Sequence, residues 1–327
     1  MHLYKNNKIA VVIPAYNEEK LIGRVITTMP DYVDKMVIVD DASSDKTYQT
    51  MQEYQKKDPD RIVLIRHEKN TGVGSSIADG YEWSRDHDID LAAVMAGDAQ
   101  MDPDDLENLL RPVHEDRADY SKGNRLFTGD AWRIIPRVRY LGNAMLSLMT
   151  KIASGYWSIA DSQCGYTVIN KKALHTVKWE KMHKRYGQPN DLLVRLNIFN
   201  FRVIDVPVRP VYNIGEKSGI RPILIIPKML WLISKLFYFR MLQKYIIRDF
   251  HPLLLFYMIG LLQLFILSPI LLTRLIFRWV SYGRIPSYTA LTFILMVITG
   301  LQFTLFAMWF DMEYNAKNNK SRNEYPD

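Results

Sequence analysis

The 327-residue chain has a single cysteine, Cys164. No intrachain disulfide can form, which fits a reducing compartment. Its seven histidines fall into no HExxH or related spacing, so a zinc hydrolase has no support. A Walker A lysine motif is absent, and no GxGxxG follows the first apolar run, which sets aside P-loop and dinucleotide-dependent chemistry. No internal repeat is visible, and no nucleic-acid-binding motif accompanies the modest excess of 42 basic over 35 acidic residues. Met1 to Asn7 is polar and leads straight into a strand pattern without the apolar core of a signal peptide, so the N-terminal part is expected to stay in the cytoplasm.

Long apolar runs, by contrast, are present at the far end. Leu253 to Leu272 and Tyr288 to Phe310 are almost free of charge and close to bilayer-crossing length, about 20 residues. They are expected to form a hairpin in the inner (cytoplasmic) membrane with both chain ends inside. Arg274, Arg278 and Arg284 would then lie in the connecting loop. Lys228, Lys235, Arg240, Lys244 and Arg248 precede the first run, interleaved with aromatics and leucines. That composition predicts amphipathic helices on an anionic lipid surface, not a nucleic-acid interface. The expected organisation is a catalytic domain over 1–215, interfacial helices over 216–250, a membrane hairpin over 251–312 and a polar tail over 313–327.

The first two-thirds alternate strand and helix patterns. Ile9–Ile13, Met36–Val39, Ile62–Ile65 and Leu91–Met95 read as buried strands, with helices over Glu18–Met29, about 45–57, Gly72–Arg85 and from Pro103 to about His114. Farther on, strands are expected at Asp119–Gly123, Tyr166–Ile169 and Arg202–Val208, with helices at Arg137–Ser154 and Asp191–Asn200. This predicts an α/β domain with a mainly parallel sheet. Ligands in such sheets bind beyond the carboxyl ends of the strands. A catalytic domain joined to a membrane hairpin suggests one water-soluble and one lipid substrate.

Three segments sit at those strand ends. After strand one comes Pro14-Ala-Tyr-Asn-Glu18, where Tyr16 can contact a base or ribose and Glu18 can accept a hydrogen bond. After strand two comes Asp40-Asp41-Ala-Ser-Ser-Asp45. A serine there can cap the next helix, and two further aspartates exceed what capping needs. After strand four comes Ala96-Gly-Asp98-Ala-Gln100-Met-Asp102-Pro103. Asp98 and the Gln100 amide oxygen can share one hard divalent cation, while Asp102 suits an N-cap ahead of Pro103. Gly72-Val-Gly74 opens a helix but lacks the rest of a phosphate loop. Helix packing is its simpler explanation, with Gly72 kept among the nucleotide-pocket candidates.

Taken together, these segments resemble the family 2 glycosyltransferases of GT-A (Rossmann-like) fold. With the C-terminal hairpin, the chain is most similar to polyprenyl-phosphate glycosyltransferases such as dolichol-phosphate mannose synthases and undecaprenyl-phosphate glucosyltransferases. The resemblance covers about residues 8–215. It implies that Pro14, Tyr16, Glu18, Asp40, Asp41 and Gly72 line the nucleotide-sugar pocket, and that Asp98 and Gln100 hold Mg2+ or Mn2+. It further implies that Arg125 and Arg137 face phosphate, with Arg133 competing for the second role. Asp161, in Asp161-Ser-Gln-Cys-Gly-Tyr166, would lie near the acceptor. The implied reaction is inverting transfer of a single sugar from a nucleotide-sugar, with UDP the expected carrier, to polyprenyl phosphate. It would supply a lipid-linked donor for cell-envelope glycans. A homo-oligomer is compatible with this reading.

Two departures from the family pattern stand out. Ala42 replaces a usual glycine, a change expected to be harmless. Ala96 stands where many relatives carry the first acid of a DxD pair, so cation binding would rest on Asp98, Gln100 and the diphosphate. The Gln-x-x-Arg-Trp motif of processive synthases is missing, since Leu275 stands in the glutamine position before Arg278-Trp279. The alternatives are a catalytically weak nucleotide-sugar-binding protein serving a partner complex, and a processive polysaccharide synthase.

Overall fold

A computed structural model describes residues 6–126, 137–209, 211 and 222–320. The chain divides into two compact units, one built from residues 1–238 with 318–327 and the other from 239–317.

The first unit is organised by a seven-stranded sheet: β1 (Ile9–Ala15), β2 (Lys35–Asp40), β3 (Ile62–Arg66), β4 (Leu91–Val94), β5 (Tyr120–Asn124), β6 (Thr167–Asn170) and β7 (Val203–Pro207). Their spatial order is β3-β2-β1-β4-β6-β5-β7. The first four strands are parallel neighbours, β6 runs antiparallel to both β4 and β5, and β7 is parallel to β5. Every residue of β1 is buried, as expected of a central strand covered on both faces. Successive side chains alternate between two cores. Ile9, Val11 and Ile13 pack on one face with Met36 and Ile38, whereas Ala10 and Val12 pack on the other with Val37 and Val39.

Helices α1 (Ile22–Thr27), α2 (Thr47–Lys57) and α4 (Leu106–His114) flank the first core, and α3 (Val73–Asp86) flanks the second. Gly80 lets α3 approach β1 closely, because a Cβ there would stand 2.2 Å from Val12 Cγ1. The expected alternation and sheet are present, and the helix at Arg137–Ser154 has the expected bounds.

The first helix is shorter than expected. It starts at Ile22 instead of Glu18 because the backbone N–H groups of Asn17 and Glu18 turn aside to Ser43 Oγ (3.0 Å) and Thr47 Oγ1 (2.7 Å). Those bonds knit the turn after β1 to the turn after β2.

The basic amphipathic stretch also differs from expectation. It contains one helix, Pro222–Leu242, followed by a π-helical turn at Gln243–Arg248, instead of a helix pair. Lys228, Lys235 and Arg248 are exposed, and so are the apolar residues Trp231 and Tyr238. Arg240 and Lys244, read from sequence as lipid-facing charges, are buried instead. Within the second unit Arg240 makes a two-pronged ion pair with Asp311 at 2.9 and 2.8 Å. Tyr245 Oη also donates to Asp311 (2.5 Å), and Lys244 Nζ donates to Asn315 Oδ1 (2.7 Å).

Two helical stretches in this unit, Leu253–Tyr282 and Ser287–Lys317, are long and apolar enough to cross a membrane. Both outrun the expected spans. The first continues through Arg274 and Arg278, which therefore lie on helix and not in the connecting loop, and Gly283 ends it in the left-handed conformation at φ 61°. The helices meet at small residues, since a Cβ on Gly260 would lie 2.4 Å from Thr304 Oγ1. The second helix runs to Lys320, into the segment read as a polar tail.

Candidate active site

The turns after β1, β2 and β4 converge at one end of the sheet. Asp41 N–H donates to the Ala15 carbonyl (3.0 Å), and Gly97 N–H to the Pro14 carbonyl (3.1 Å). Each turn carries one non-glycine residue in the left-handed region: Asn17 (φ 57°), Ala42 (φ 60°) and Ala99 (φ 56°). For alanine this conformation costs about 1–2 kcal/mol. The alanine at position 42 is therefore not neutral, contrary to the sequence reading, and the surrounding hydrogen bonds must hold it.

The two aspartates after β2 point inward. Asp40 is fully buried; its Oδ1 accepts from Ser43 N–H (3.1 Å) and its Oδ2 lies 3.2 Å from Arg66 Nε. Asp41 is 3% exposed and gathers the loop after β3. Its Oδ1 accepts from Thr71 N–H (2.8 Å), Thr71 Oγ1 (3.1 Å) and His67 (2.8 Å), and its Oδ2 accepts from Gly72 N–H (2.8 Å). Burial would raise the Asp41 carboxyl, but these hydrogen bonds outweigh it and hold the group below the usual carboxylate range.

Gly72 is required by geometry. Its φ is +103°, and a Cβ would stand 2.5 Å from the Lys184 carbonyl. A Cβ on Gly74 would lie 2.2 Å from the His183 carbonyl. The pair is thus a packing pair, while the Gly72 N–H is spent on Asp41. Asp45 accepts from Thr47 N–H (3.0 Å) at the start of α2, the expected helix-start role.

Tyr16 is 47% exposed at the mouth of this region. Glu18 is half-buried, and its carboxyl is pushed up to about 7, first by burial and then by the charges of Asp98 and Asp45. Asp98 Oδ1 accepts from Gln100 N–H (3.1 Å), so these two residues share one tight turn. Asp102 accepts from Asp104 N–H (3.1 Å) as the expected N-cap.

Asp98 and Gln100 line a cavity together with Arg125, Tyr166 and Arg209. Arg125 is locked by Asp161: its Nε donates at 2.7 Å and its Nη2 at 3.1 Å. Burial acts to raise the Asp161 carboxyl, and the Arg125 guanidinium overcomes it and keeps the acid ionised. Beneath lies Lys122, fully buried, with its ammonium donating to the Cys164 carbonyl. Asp205 is nearby, and burial pushes its carboxyl up to about 6.

Arg209 was not legible from the sequence. Its segment is stitched across the turn after β4: Arg209 N–H donates to Asp105 Oδ2 (2.7 Å) and Val211 N–H to the Gln100 carbonyl (3.2 Å). Arg137 opens its helix, but its side chain, like all of Arg133, lies outside the described residues.

The residues suit a nucleotide-borne divalent cation better than a free one. No cluster of three or more His, Cys, Asp or Glu side chains able to hold a metal occurs among the described residues. One carboxylate and one amide oxygen remain, a set that binds magnesium or manganese when phosphates and water complete the shell. Burial is the main cause of the raised Glu18 carboxyl, and the charges of Asp98 and Asp45 that add to it are what such a cation would relieve.

Residues 10–178 match the family described as Glycosyl transferase family 2, more than half of the chain. The chain belongs to this family. It is a glycosyltransferase, and several of its relatives are named for transfer to lipid phosphates. A UDP-N-acetylglucosamine–dolichyl-phosphate N-acetylglucosaminyltransferase from Methanococcus voltae is 30% identical over 217 residues, which span 63% of this chain and 86% of that protein. The polyprenol monophosphomannose synthase of Mycolicibacterium smegmatis is 27% identical, over 61% of this chain and 75% of its own length.

The fold of this glycosyltransferase also resembles a solved structure, glucosyl-3-phosphoglycerate synthase from Mycobacterium tuberculosis with Mn2+, UDP and glucosyl-3-phosphoglycerate. The TM-score is 0.52 at 19% identity, covering 72% of this chain and 80% of that one. This likeness establishes the GT-A fold.

Proposed function

We propose that this glycosyltransferase moves one sugar from a nucleotide-sugar, with UDP as the carrier, to a polyprenyl phosphate held in the membrane by way of the two apolar helices, with inversion. The observation that carries the reading is the cavity lined by the Asp98–Gln100 turn together with Arg125 and Arg209. One acid, one amide oxygen and two guanidinium groups suit a reaction that gathers a diphosphate and a second phosphate. The named relatives supply the acceptor class, and the Mn2+ and UDP in the solved neighbour support the carrier and the cation.

The nucleoside would lie among Pro14, Tyr16, Glu18 and the Asp41 loop. Asp41 Oδ2 accepts one N–H, from Gly72, and keeps lone-pair capacity for a second donor such as a base imide. Asp98 and Gln100 would hold Mg2+ or Mn2+, which when bound supplies Lewis-acid stabilisation of the leaving diphosphate. An oxygen lone pair of the acceptor phosphate forms the new bond to the anomeric carbon. The old carbon–oxygen bond breaks, and its electron pair leaves with the diphosphate. The acceptor is already largely ionised near neutrality, so no general base is needed. Arg125, oriented by Asp161, and Arg209 stabilise the charge that grows on the phosphate oxygens. The sequence lacks the Gln-x-x-Arg-Trp motif of processive synthases, so one sugar per acceptor is the expected product, and both chain ends would be cytoplasmic.

The test is a panel of UDP-N-acetylglucosamine, UDP-glucose and GDP-mannose with undecaprenyl phosphate and Mg2+ or Mn2+, products identified by mass spectrometry. A glycosyl-phosphoryl lipid from one donor supports the reading. Binding of a donor without lipid product from any member of the panel would favour a binding protein instead.

A further inference from the structure

His67 has no place in the reaction described above, yet both of its ring nitrogens are occupied by acids. Nδ1 lies 2.8 Å from Asp41 Oδ1, and Nε2 lies 2.7 Å from Asp79 Oδ2. A neutral imidazole can donate from one nitrogen only. Facing two carboxylate oxygens, the ring satisfies both only when both nitrogens carry protons. The side chains of His67, Asp41 and Asp79 are 11%, 4% and 40% exposed. Asp41 comes from the end of β2 and Asp79 from the outer face of α3, so the ring joins two elements. Thr71 Oγ1 also stands 2.9 Å from Nδ1, and the His67 backbone N–H donates to the Asp40 carbonyl (2.9 Å). The neighbouring Arg66 is turned to Asp40 and the Tyr48 ring, so Asp41 and Asp79 are the acids that face the imidazole.

We propose that His67 is a positioning residue of the donor pocket: as an imidazolium strap between Asp41 and Asp79, it fixes the Asp41 carboxylate and the Thr71–Gly72 turn in the form that binds nucleotide-sugar. The inference rests on the nucleotide reading of the Asp41 loop given above. Its consequence is a proton dependence of donor affinity. Burial opposes the charged ring, but its two acids outweigh burial and raise it above the ordinary histidine value. The strap is therefore intact below that raised value and lost as pH rises through it. Donor affinity should fall on the alkaline side while the chemical step keeps its own pH dependence.

The experiment is calorimetry of UDP-N-acetylglucosamine and of GDP-mannose on the full-length protein in detergent, from pH 6 to 9, for wild type, Asp79→Asn and His67→Gln. Nucleotide-sugars lack the terminal phosphate proton that titrates near pH 6, so the ligand adds no inflection there. The wild-type dissociation constant should rise about tenfold across the inflection. Asp79→Asn removes one acid at a half-exposed site and should move the inflection down by about one pH unit. His67→Gln should lose the His67 inflection and keep only the pH dependence of Glu18, whose carboxyl in the same pocket is pushed up to about 7. Steady-state kinetics should place these effects in the donor KM and not in kcat. A wild-type pH profile that matches that of His67→Gln, or a His67-dependent inflection that stays in place in Asp79→Asn, would overturn the strap alone. Absence of binding by both nucleotide-sugars at every pH would overturn the nucleotide reading beneath it. NMR titration of the His67 ring in a labelled sample reports the same inflection if a variant fails to fold.

Discussion

Asp161→Asn removes one negative charge from a buried set of two cations and two acids. Asp161 is 0% exposed and takes two hydrogen bonds from the Arg125 side chain, one from the Arg125 backbone N–H and one from Gln163 N–H. Lys122 lies within its field and is itself fully buried. Removing one partner of a buried pair commonly costs about 3–5 kcal/mol, because the charge left behind has no compensation. Here the low end applies. Asp205 sits beside Lys122 with its carboxyl raised to about 6, first by burial and in part by Asp161. Without Asp161 that acid ionises more readily and takes over part of the counter-charge.

A loss of about 3 kcal/mol corresponds to a fall of roughly 6–12 °C in melting temperature for a domain of this size. Transfer should fall as well, since Arg125 loses the fork that aims it into the cavity. Thermal unfolding of the full-length protein in detergent and initial rates with saturating donor measure the two effects. A double variant, Arg125→Gln with Asp161→Asn, should be more stable than the sum of the single losses, because it leaves fewer uncompensated charges. If Asp161→Asn melted within 2 °C of wild type and turned over normally, the buried network would not be what holds Arg125.

Four further outcomes are expected. Asp98→Asn should lower turnover about 100-fold, and chelation should abolish transfer by wild type, read by lipid-product formation with and without EDTA. Glu18→Gln in EDTA should melt higher than wild type at pH 8, where the raised carboxyl is ionised against Asp98 and Asp45. The difference should vanish below pH 4.5, where Glu18 is protonated in both folded and unfolded chains. Arg209→Ala should reduce turnover more than Arg209→Lys, since lysine keeps the charge but not the fork; equal rates in all three proteins would remove Arg209 from the reaction. Asp311→Asn should destabilise the C-terminal unit by about 3–5 kcal/mol by stranding Arg240, seen as faster proteolysis between residues 239 and 317.

The parts of this fold that were legible in the sequence are those governed by local periodicity. Ile9–Ile13 and Met36–Val39 are apolar and rich in branched residues, and they became the central strands. Asp98, Gln100 and Arg125 could be placed because short strands deliver their ends to one side of a sheet, and they do line one cavity. What escaped is tertiary. Arg209 belongs to no motif and reaches the cavity only because Asp105 and Gln100 bind its backbone segment. His67 looked like one histidine among seven until the fold set it between two acids. Arg274 and Arg278 read as loop because charge is costly in an apolar span, but long side chains at a helix end can reach polar surroundings while the backbone stays helical. Arg240 and Lys244 misled for the opposite reason: their partners, Asp311 and Asn315, lie about 70 residues away in the chain.

The strand order also fixes when the catalytic cavity can come into being during synthesis. β1, β2, β3 and β4 are paired in parallel through connections of modest length, so this half can condense early. The other half cannot. β5 finds its outer neighbour only when β7 exists, with Tyr120 set beside Val203, and the chain past β7 must then cross back to the Gln100 carbonyl. Closing so long a loop is slow, and the parallel pairing gains nothing until it is closed. A nascent chain halted before Val211 would therefore hold the Asp40–Asp41 turn in near-final form but have no enclosed place for the reaction. Competence would arrive late, as the apolar C-terminal helices are about to be made.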